Sequence, residues 1–204
     1  MNDADKTRVC VVDDDAAVRD ALCTILEDAG YEVAASGSSV EFLDTLAGGP
    51  EPACILSDVR MPEMSGLELL RTLSTRGMKC PIILITGFAD VPMAVEAMKA
   101  GAADFIEKPF TGDRIASAVA TALDRATTTE GPEAAEQVRV RLAALTQREQ
   151  EIMNLLVTGH SNKSAARELS ISPRTVEVHR ARVMQKMEAR NLAELVRMSV
   201  LINR

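Results

Sequence analysis

Acidic, hydroxyl and amino side chains in the first half of this chain stand directly after short apolar segments. Asp13 and Asp14 follow one such segment and Asp58 follows another, while Thr86 and Lys108 follow two more. A carboxylate can carry a covalent acyl phosphate, and an ammonium group can offset the charge on phosphoryl oxygens during transfer. Brought together, these side chains would form a phosphoryl-transfer site.

The apolar segments have the length and the unbroken hydrophobicity of strands that are buried on both faces of a sheet. They lie at 8–12, 53–57, 81–85 and 103–106, with a weaker one at 31–35. Helical patterns separate them, near 16–29, 39–47, 66–76, 91–100 and 112–126. Five strand–helix units in series predict a doubly wound α/β domain with a five-stranded parallel sheet.

The carboxyl ends of parallel strands meet at one edge of such a sheet, where ligands bind. We therefore expect the polar residues that follow the strands to converge there. Carboxylates that lie close together need a cation, and oxygen ligands with room for water suit Mg²⁺. Asp58 lies centrally and is the candidate nucleophile, and Thr86 is expected to hydrogen-bond the attached phosphoryl group.

Four segments resemble the signature segments of response-regulator receiver domains, most of all those of the FixJ type. They are VVDDD (11–15), SDVRMPEMSG (57–66), ITGFAD (85–90) and DFIEKPF (104–110). The resemblance covers nearly all of 8–126 and implies a flavodoxin-like receiver fold. It implies that Asp58 is a Mg²⁺ ligand and accepts a phosphoryl group from a histidine kinase.

The same resemblance assigns roles to the other site residues. Asp13 and Asp14 would bind Mg²⁺ together with the phosphoacceptor, and the main-chain carbonyl of Arg60 would complete the protein ligands. Thr86 and Phe105 would be the switch pair that repositions on phosphorylation.

Further expectations concern the surroundings of the site. The Lys108–Pro109 peptide bond would be cis, as is common in the family. Phe88 stands where this subfamily often has a small polar residue or histidine, so we expect it to affect phosphoryl lifetime or kinase access, in a direction that the sequence does not predict. Residues 90–126 would form a symmetric dimer interface after phosphorylation.

The second half of the chain has the opposite charge balance. Residues 1–127 carry 11 Lys and Arg against 21 Asp and Glu, whereas residues 139–204 carry 12 against 6. The intervening Thr-Thr-Thr-Glu-Gly-Pro-Glu-Ala-Ala-Glu has the composition of a linker, and the stretch after it could extend a helix. An acidic half joined to a basic half indicates two domains, with nucleic acid as a plausible partner of the second.

The basic half is predicted to form short helices only. Thr146 and Glu149 form a capping box at the start of the first. A later helix begins with Ser172 as its N-cap and Pro173 at its first position, after a short helix and a tight turn. A helix with an exposed basic face in this position is typical of a recognition helix in the major groove of DNA.

Three segments resemble the four-helix DNA-binding domain of the LuxR/NarL type: LTQRE (145–149), GHSNKSAAREL (159–169) and ISPRTVEVHRARVMQKM (171–187). By that resemblance the residues that contact phosphates are Lys163, Arg174, Thr175, Arg180 and Arg182. Glu177 and Val178 would face the bases, where Glu accepts a hydrogen bond from cytosine and Val meets a thymine methyl group.

Three other residues are expected not to contact DNA bases, and a fourth departs from the family pattern. His179 is expected to pack inside the domain, and Lys186 and Arg190 are expected to be solvated charges. Ser170 replaces a frequent glycine in a turn that favours a positive φ, at a cost of about 1 kcal/mol.

These patterns predict a receiver domain at 1–126, a linker at 127–142 and a small all-α LuxR-type helix–turn–helix domain at 143–204. The predicted protein is a transcriptional regulator, expected to be an activator with RNA polymerase as a partner, that binds promoter DNA as a homodimer after phosphorylation. No apolar run reaches the ~20 residues that span a bilayer, so no membrane contact and a cytoplasmic location are expected. The four cysteines lack metal-ligand spacing and are expected to be reduced.

No enzymatic turnover is expected, but three other classes remain open. A phosphatase would use Asp13 as its nucleophile and Asp15 as its acid. A scaffold protein would use the first domain to bind proteins without being phosphorylated. A ligand-sensing activator would need an apolar cavity in the first domain, which offers carboxylates instead.

Overall fold

The computed structural model describes residues 7–87, 91–127 and 132–202. These residues form two compact units, one of residues 7–87 and 100–127 and the other of residues 91–99 and 132–202. Phe88, for which an effect on the phosphorylation site is expected, lies outside the described residues.

Five strands of the first unit form one parallel sheet in the order β2-β1-β3-β4-β5. They are β1 (Arg8–Val12), β2 (Glu32–Ser36), β3 (Cys54–Asp58), β4 (Ile82–Thr86) and β5 (Asp104–Glu107). Every residue of β3 and β4 is buried, as expected for central strands covered on both faces. The predicted doubly wound sheet is confirmed, with each strand within one residue of its predicted place.

Helices connect the strands throughout: α1 (Ala16–Asp28), α2 (Ser39–Leu46), α3 (Gly66–Thr75), α4 (Val91–Lys99) and α5 (Gly112–Thr127). Asp15 begins α1 as its N-cap, since its carboxylate accepts the N–H groups of Ala17 and Val18. Ser65 and Glu68 form a capping box at the start of α3. These caps fix where the helices begin: α1 starts soon after β1, and α3 starts after the loop at 59–65 that follows β3.

One hydrophobic core of the first unit lies between the sheet and the pair α1 and α5. Leu22 and Leu26 from α1 and Ile115 from α5 pack among fully buried strand residues such as Leu56 and Ile83. Burial of each large apolar side chain stabilises the fold by about 1.5–3 kcal/mol. This core makes the sheet a rigid platform for the residues at its carboxyl edge.

The second unit is helical: α6 (Pro132–Ala143), α7 (Gln147–Val157), α8 (Asn162–Glu168), α9 (Pro173–Met187) and α10 (Leu192–Ile202). Helix α4 is grouped with this unit and packs against α10 within it. Most of the predicted linker at 127–142 is α6, which begins at Pro132 and buries Val138. The described helices include none that is long and apolar enough to cross a membrane.

A tight turn between α8 and α9 has the predicted local geometry. Ser172 caps α9 by accepting the N–H of Thr175, and Pro173 is the first residue of the helix. Ser170 has a φ of 52°, which confirms that this turn requires the left-handed conformation. The two helices and the turn between them therefore form the predicted helix–turn–helix.

Candidate functional site

A lysine bridges two buried carboxylates at the carboxyl edge of the sheet. Lys108 Nζ lies 2.9 Å from Asp13 Oδ2 and 2.6 Å from Asp58 Oδ1. Asp13 is 1% exposed and Asp58 is 6% exposed. These residues follow or end β1, β3 and β5, so the predicted convergence of three distant segments is present in the structure.

The main chain around the two carboxylates is held by further hydrogen bonds. The N–H of Arg60 donates to Asp58 Oδ2 at 2.5 Å, and the N–H of Asp15 donates to Asp13 Oδ1 at 2.9 Å. Arg19 of α1 donates to the main-chain carbonyl of Asp13 at 2.6 Å. Both carboxylates are therefore fixed in orientation, with one oxygen of each directed to Lys108.

Gly66 is a positioning residue that the sequence analysis did not single out. Its N–H donates to the carbonyl of Val59 at 3.0 Å, which folds the start of α3 back onto the end of β3. A Cβ atom at Gly66 would lie 2.1 Å from the carbonyl oxygen of Asp58 and 2.8 Å from Ser57 Oγ. Only glycine fits so close to the end of β3. The sequence did not reveal this role, because a glycine at the start of a helix is common.

Burial and the hydrogen bonds within this cluster shift the pKa of each of Asp13 and Lys108 in opposite directions. Burial raises the pKa of the Asp13 carboxyl group, against the effect of its hydrogen bond from Lys108. Burial opposes the charge on Lys108, but its hydrogen bonds with Asp58 and Asp13 outweigh this and raise its pKa. Lys108 is therefore firmly protonated at neutral pH and supplies a positive charge beside the phosphoacceptor candidate.

Thr86 and Phe105, predicted as the switch pair, lie on neighbouring strands. Thr86 ends β4 and is fully buried, and its carbonyl accepts the N–H of Lys108 at 2.7 Å. Phe105 on β5 is half-buried. The Lys108–Pro109 bond is cis, as the resemblance implied.

Asp14 differs from the other carboxylates because its side chain is exposed. Among the described residues, no three His, Cys, Asp or Glu side chains are arranged as a metal site. The structure therefore brings Asp13 and Asp58 together but does not add Asp14 to them. The oxygen donors of the pair still fit Mg²⁺, since two buried carboxylates that share one cation form the hard, anionic donor set that this ion prefers.

The arrangement disfavours the phosphatase alternative. In that reading Asp15 would protonate a leaving group, but its carboxylate accepts two N–H groups at the start of α1. That carboxylate is therefore already engaged in capping the helix. Asp13 and Asp58 are both buried and both bound by Lys108, but only Asp58 ends β3, the central strand of the sheet.

The cysteines take no part in this site. All four are free thiols, as expected. Burial raises the pKa of the Cys54 thiol to about 12, so this thiol is a poor nucleophile at neutral pH.

The second unit presents the predicted DNA contacts on α8 and α9. Most of these side chains are exposed to solvent: Lys163, Arg174, Thr175, Glu177, Val178 and Arg182. Val178 is 48% exposed, and an apolar side chain left open on a basic helix suits contact with a thymine methyl group. Buried Val176, Val183 and Met187 form the opposite side of α9 and attach it to the unit.

Three residues of α9 lie partly or wholly outside this exposed face. Arg180 is half-buried, with Nη1 3.4 Å from Asn162 Oδ1 of α8. His179 is half-buried with its Nδ1 shielded from solvent, in line with the expected packing role. Lys186 is exposed, as expected, but the expectation missed its partners: its Nζ lies 2.7 Å from Glu149 Oε2 and 3.2 Å from the carbonyl oxygen of Ala144.

Comparisons with known proteins match both units. Residues 9–120 match the family model of the response regulator receiver domain. Residues 143–199 match the model of the bacterial regulatory proteins of the luxR family.

Relatives match along almost the whole chain. The transcriptional regulatory protein FixJ of Azorhizobium caulinodans is 51% identical, over 95% of this chain and 92% of the relative. FixJ of Bradyrhizobium diazoefficiens is 46% identical, over 96% of this chain and 95% of the relative. The crystal structure of full-length FixJ from B. japonicum covers 97% of this chain and 98% of its own, with a TM-score of 0.57 and 46% identity.

Proposed function

Since the chain belongs to the response regulators that join a receiver domain to a DNA-binding domain of the luxR family, we propose that phosphorylation of Asp58 controls its binding to DNA. The protein is a phosphorylation-dependent transcriptional regulator of a two-component system. The observation that carries the proposal is the bridge from Lys108 to Asp58 and Asp13 at the sheet edge.

The bridge supports the following transfer step. A carboxylate oxygen of Asp58 attacks the phosphorus atom of the histidine kinase phosphohistidine. The P–N bond breaks, its electron pair returns to the imidazole nitrogen, and an acyl phosphate remains on Asp58. Lys108 then donates to a phosphoryl oxygen, because its ammonium group already lies 2.6 Å from the acceptor carboxylate. The phosphoryl group then leaves by hydrolysis or by back-transfer, and either route restores the free Asp58 carboxylate.

The proposed metal site uses the same carboxylates. Asp13, Asp14 and Asp58, with the main-chain carbonyl of Arg60, would hold Mg²⁺, which when bound neutralises charge on the phosphoryl oxygens. Asp14 is exposed and directly follows Asp13, so its carboxylate is accessible to a metal ion from solvent.

The effect of phosphorylation on DNA binding is proposed to be transmitted by the switch pair, Thr86 and Phe105. Thr86 hydrogen-bonds the new phosphoryl group, Phe105 follows, and the surface at 90–126 forms a homodimer. Dimerisation pairs two DNA-binding domains at 143–204 on a two-fold-related promoter site. We propose that the bound dimer activates transcription together with RNA polymerase, in the cytoplasm. We also propose that the receiver domain spans residues 1–126 and the DNA-binding domain residues 143–204.

The test compares the wild type with Asp58→Asn and with Asp44→Asn, a control at an exposed aspartate of α2. Each purified full-length chain is incubated with acetyl phosphate and Mg²⁺, and phosphate incorporation, dimerisation and DNA affinity are followed together. We expect the wild type and Asp44→Asn to become phosphorylated and to dimerise, and Asp58→Asn to do neither.

The alternatives give different results in the same assay. Labelling that persists in Asp58→Asn and disappears in Asp13→Asn would point to the phosphatase mechanism. DNA affinity that acetyl phosphate leaves unchanged in the wild type would favour the scaffold. Either result would overturn the proposal.

A further inference from the structure

Two adjacent side chains in the first turn of α7 contact both helices of the helix–turn–helix. Arg148 reaches the end of α8, and Glu149 reaches the last turn of α9. Neither residue lies on the exposed face that is proposed to meet DNA. Their contacts instead link α7, a helix outside the helix–turn–helix, to each end of the DNA-reading segment.

Arg148 binds the turn that leads into α9. Its Nη2 donates to the carbonyl of Leu169 at 3.0 Å, and its Nη1 lies 2.7 Å from Glu151 Oε2. Leu169 is the C-cap of α8, whose terminal carbonyls lack partners within the helix and carry the negative end of its dipole. The guanidinium therefore satisfies an acceptor that directly precedes the left-handed Ser170, and Glu151 holds the guanidinium in place.

Glu149 binds the other end of α9. Its side chain is 3% exposed and accepts Lys186 Nζ at 2.7 Å and the N–H of Thr146 at 2.9 Å. Lys186 also donates to the carbonyl of Ala144. The hydrogen bond from Lys186, helped by the N–H of Thr146, lowers the pKa of Glu149 from 4.5 to about 2, so Glu149 is charged at every pH at which DNA binding is measured.

Two attachment points constrain a rigid helix more than one does. A single contact fixes the position of a helix but allows rotation about the contact. Arg148 acts before the start of α9, and Glu149 acts thirteen residues after Pro173 through Lys186. Together they add a polar contact at each end of a helix whose buried side already packs against the unit, and so refine the direction of its axis. Readout of base edges requires a reading helix that is held within a fraction of an ångström, whereas phosphate attraction tolerates looser placement.

We propose that Arg148 and Glu149 are positioning residues that set the angle of α9 in the major groove and so determine sequence-specific DNA binding. This proposal rests on the proposed function, because it assumes that α9 reads DNA. It assigns the pair to specificity, whereas the exposed basic residues of α8 and α9 supply affinity that does not depend on sequence.

The experiment uses full-length protein and two DNA probes. One is a duplex selected by the wild-type protein, activated with beryllofluoride, from a random-sequence library; the other is a scrambled duplex of equal length and composition. The variants are Arg148→Lys, Glu149→Gln and Glu149→Gln with Lys186→Gln. Matched controls are Arg139→Lys and Glu136→Gln, which alter an exposed ion pair of α6. Affinities are measured well below the melting temperature of each variant.

We expect Arg148→Lys and Glu149→Gln to lower affinity for the selected duplex about tenfold, the effect of losing one charged hydrogen bond. Affinity for the scrambled duplex should stay within about twofold, since phosphate contacts do not need the exact angle. The double variant should lose specificity about as much as Glu149→Gln alone, because the two side chains act as one unit. Both controls should resemble the wild type.

Three results would overturn the proposal. Equal losses on both duplexes would show that the residues only keep the unit folded, and no loss on either would show that they do not position α9. A clearly larger loss of specificity in the double variant than in Glu149→Gln would show that Lys186 acts independently of Glu149. Failure of the wild type to select any sequence would instead contradict the proposed function, which separates the two hypotheses.

Discussion

At the scale of single residues, Lys108 explains how two carboxylates remain buried together. Asp13 and Asp58 are both nearly inaccessible, and an uncompensated buried charge is very unfavourable. The ammonium group satisfies an oxygen of each carboxylate, while the N–H groups of Asp15 and Arg60 satisfy another. The site is therefore preorganised around a cation before a phosphoryl group arrives.

Gly66 provides a prediction at the same scale. Replacement by alanine places a Cβ atom against the carbonyl oxygen of Asp58, so either the loop or the end of β3 must shift. We expect Gly66→Ala to lower the free energy of unfolding of the first unit by about 1–3 kcal/mol, the usual cost of overpacking. Phosphorylation by acetyl phosphate should slow as well, because the shift displaces the acceptor. Urea denaturation and a labelling time course measure the two effects.

Gly48 offers the matched control, since a Cβ atom there would meet nothing within 4 Å. Gly48→Ala should leave both stability and labelling rate close to those of the wild type. Equal behaviour of the two variants would contradict the positioning role of Gly66.

At the scale of elements, α9 and the turn before it follow local rules closely. The N-cap, the proline and the left-handed residue all stand where sequence reasoning places them. Helix α6 shows the limit of such reasoning, because a linker-like composition continues into a helix that ion-pairs with the end of α9 through Arg141 and Glu188 at 2.6 Å. A short isolated helix is marginal in water, and the burial of Val138 supplies the packing that stabilises α6.

The turn at Ser170 gives a prediction for this scale. Glycine adopts a positive φ without the steric cost that serine incurs, although it also gives the unfolded chain more freedom. We expect Ser170→Gly to raise the free energy of unfolding of the second unit by about 0.5–1 kcal/mol. Thermal unfolding followed by circular dichroism measures it.

A serine in a helix serves as the control for that substitution. Ser74→Gly in α3 should lower stability, because glycine is a poor helix former. A destabilised Ser170→Gly protein would mean that the Ser170 side chain contributes more than its backbone conformation costs.

At the scale of the whole molecule, the two halves of the chain carry opposite charge. The excess of Lys and Arg lies in residues 139–204, and Arg182 is one of its exposed members on α9. DNA binding should therefore weaken steeply with salt, because each phosphate that a cation neutralises releases counterions.

Arg182→Gln tests this view. The slope of log affinity against log salt concentration should decrease by about 1, with a similar loss on all sequences. Arg76→Gln, which changes an exposed arginine at the end of α3, should leave the slope unchanged. An unchanged slope in Arg182→Gln would exclude a phosphate contact by this residue.

The sequence by itself determined the order of elements and most of the candidate site. Apolar runs between helical patterns admit few arrangements, and the residues after each strand of a parallel sheet must meet at its carboxyl edge. Asp13, Asp58, Thr86 and Lys108 could therefore be placed without coordinates, as could the N-cap at Ser172.

Only the tertiary structure decided which long-range partners form. Three such contacts join residues from different elements: the ion pair of buried Glu149 with Lys186, the hydrogen bond from Arg148 to the carbonyl of Leu169, and the close approach of Gly66 to Asp58. The exposure of Asp14, next to buried Asp13, also depends on how the chain turns after β1. Periodicity reports which face of an element is buried, but the atoms that meet across two elements depend on their distance and angle, which packing of the core sets.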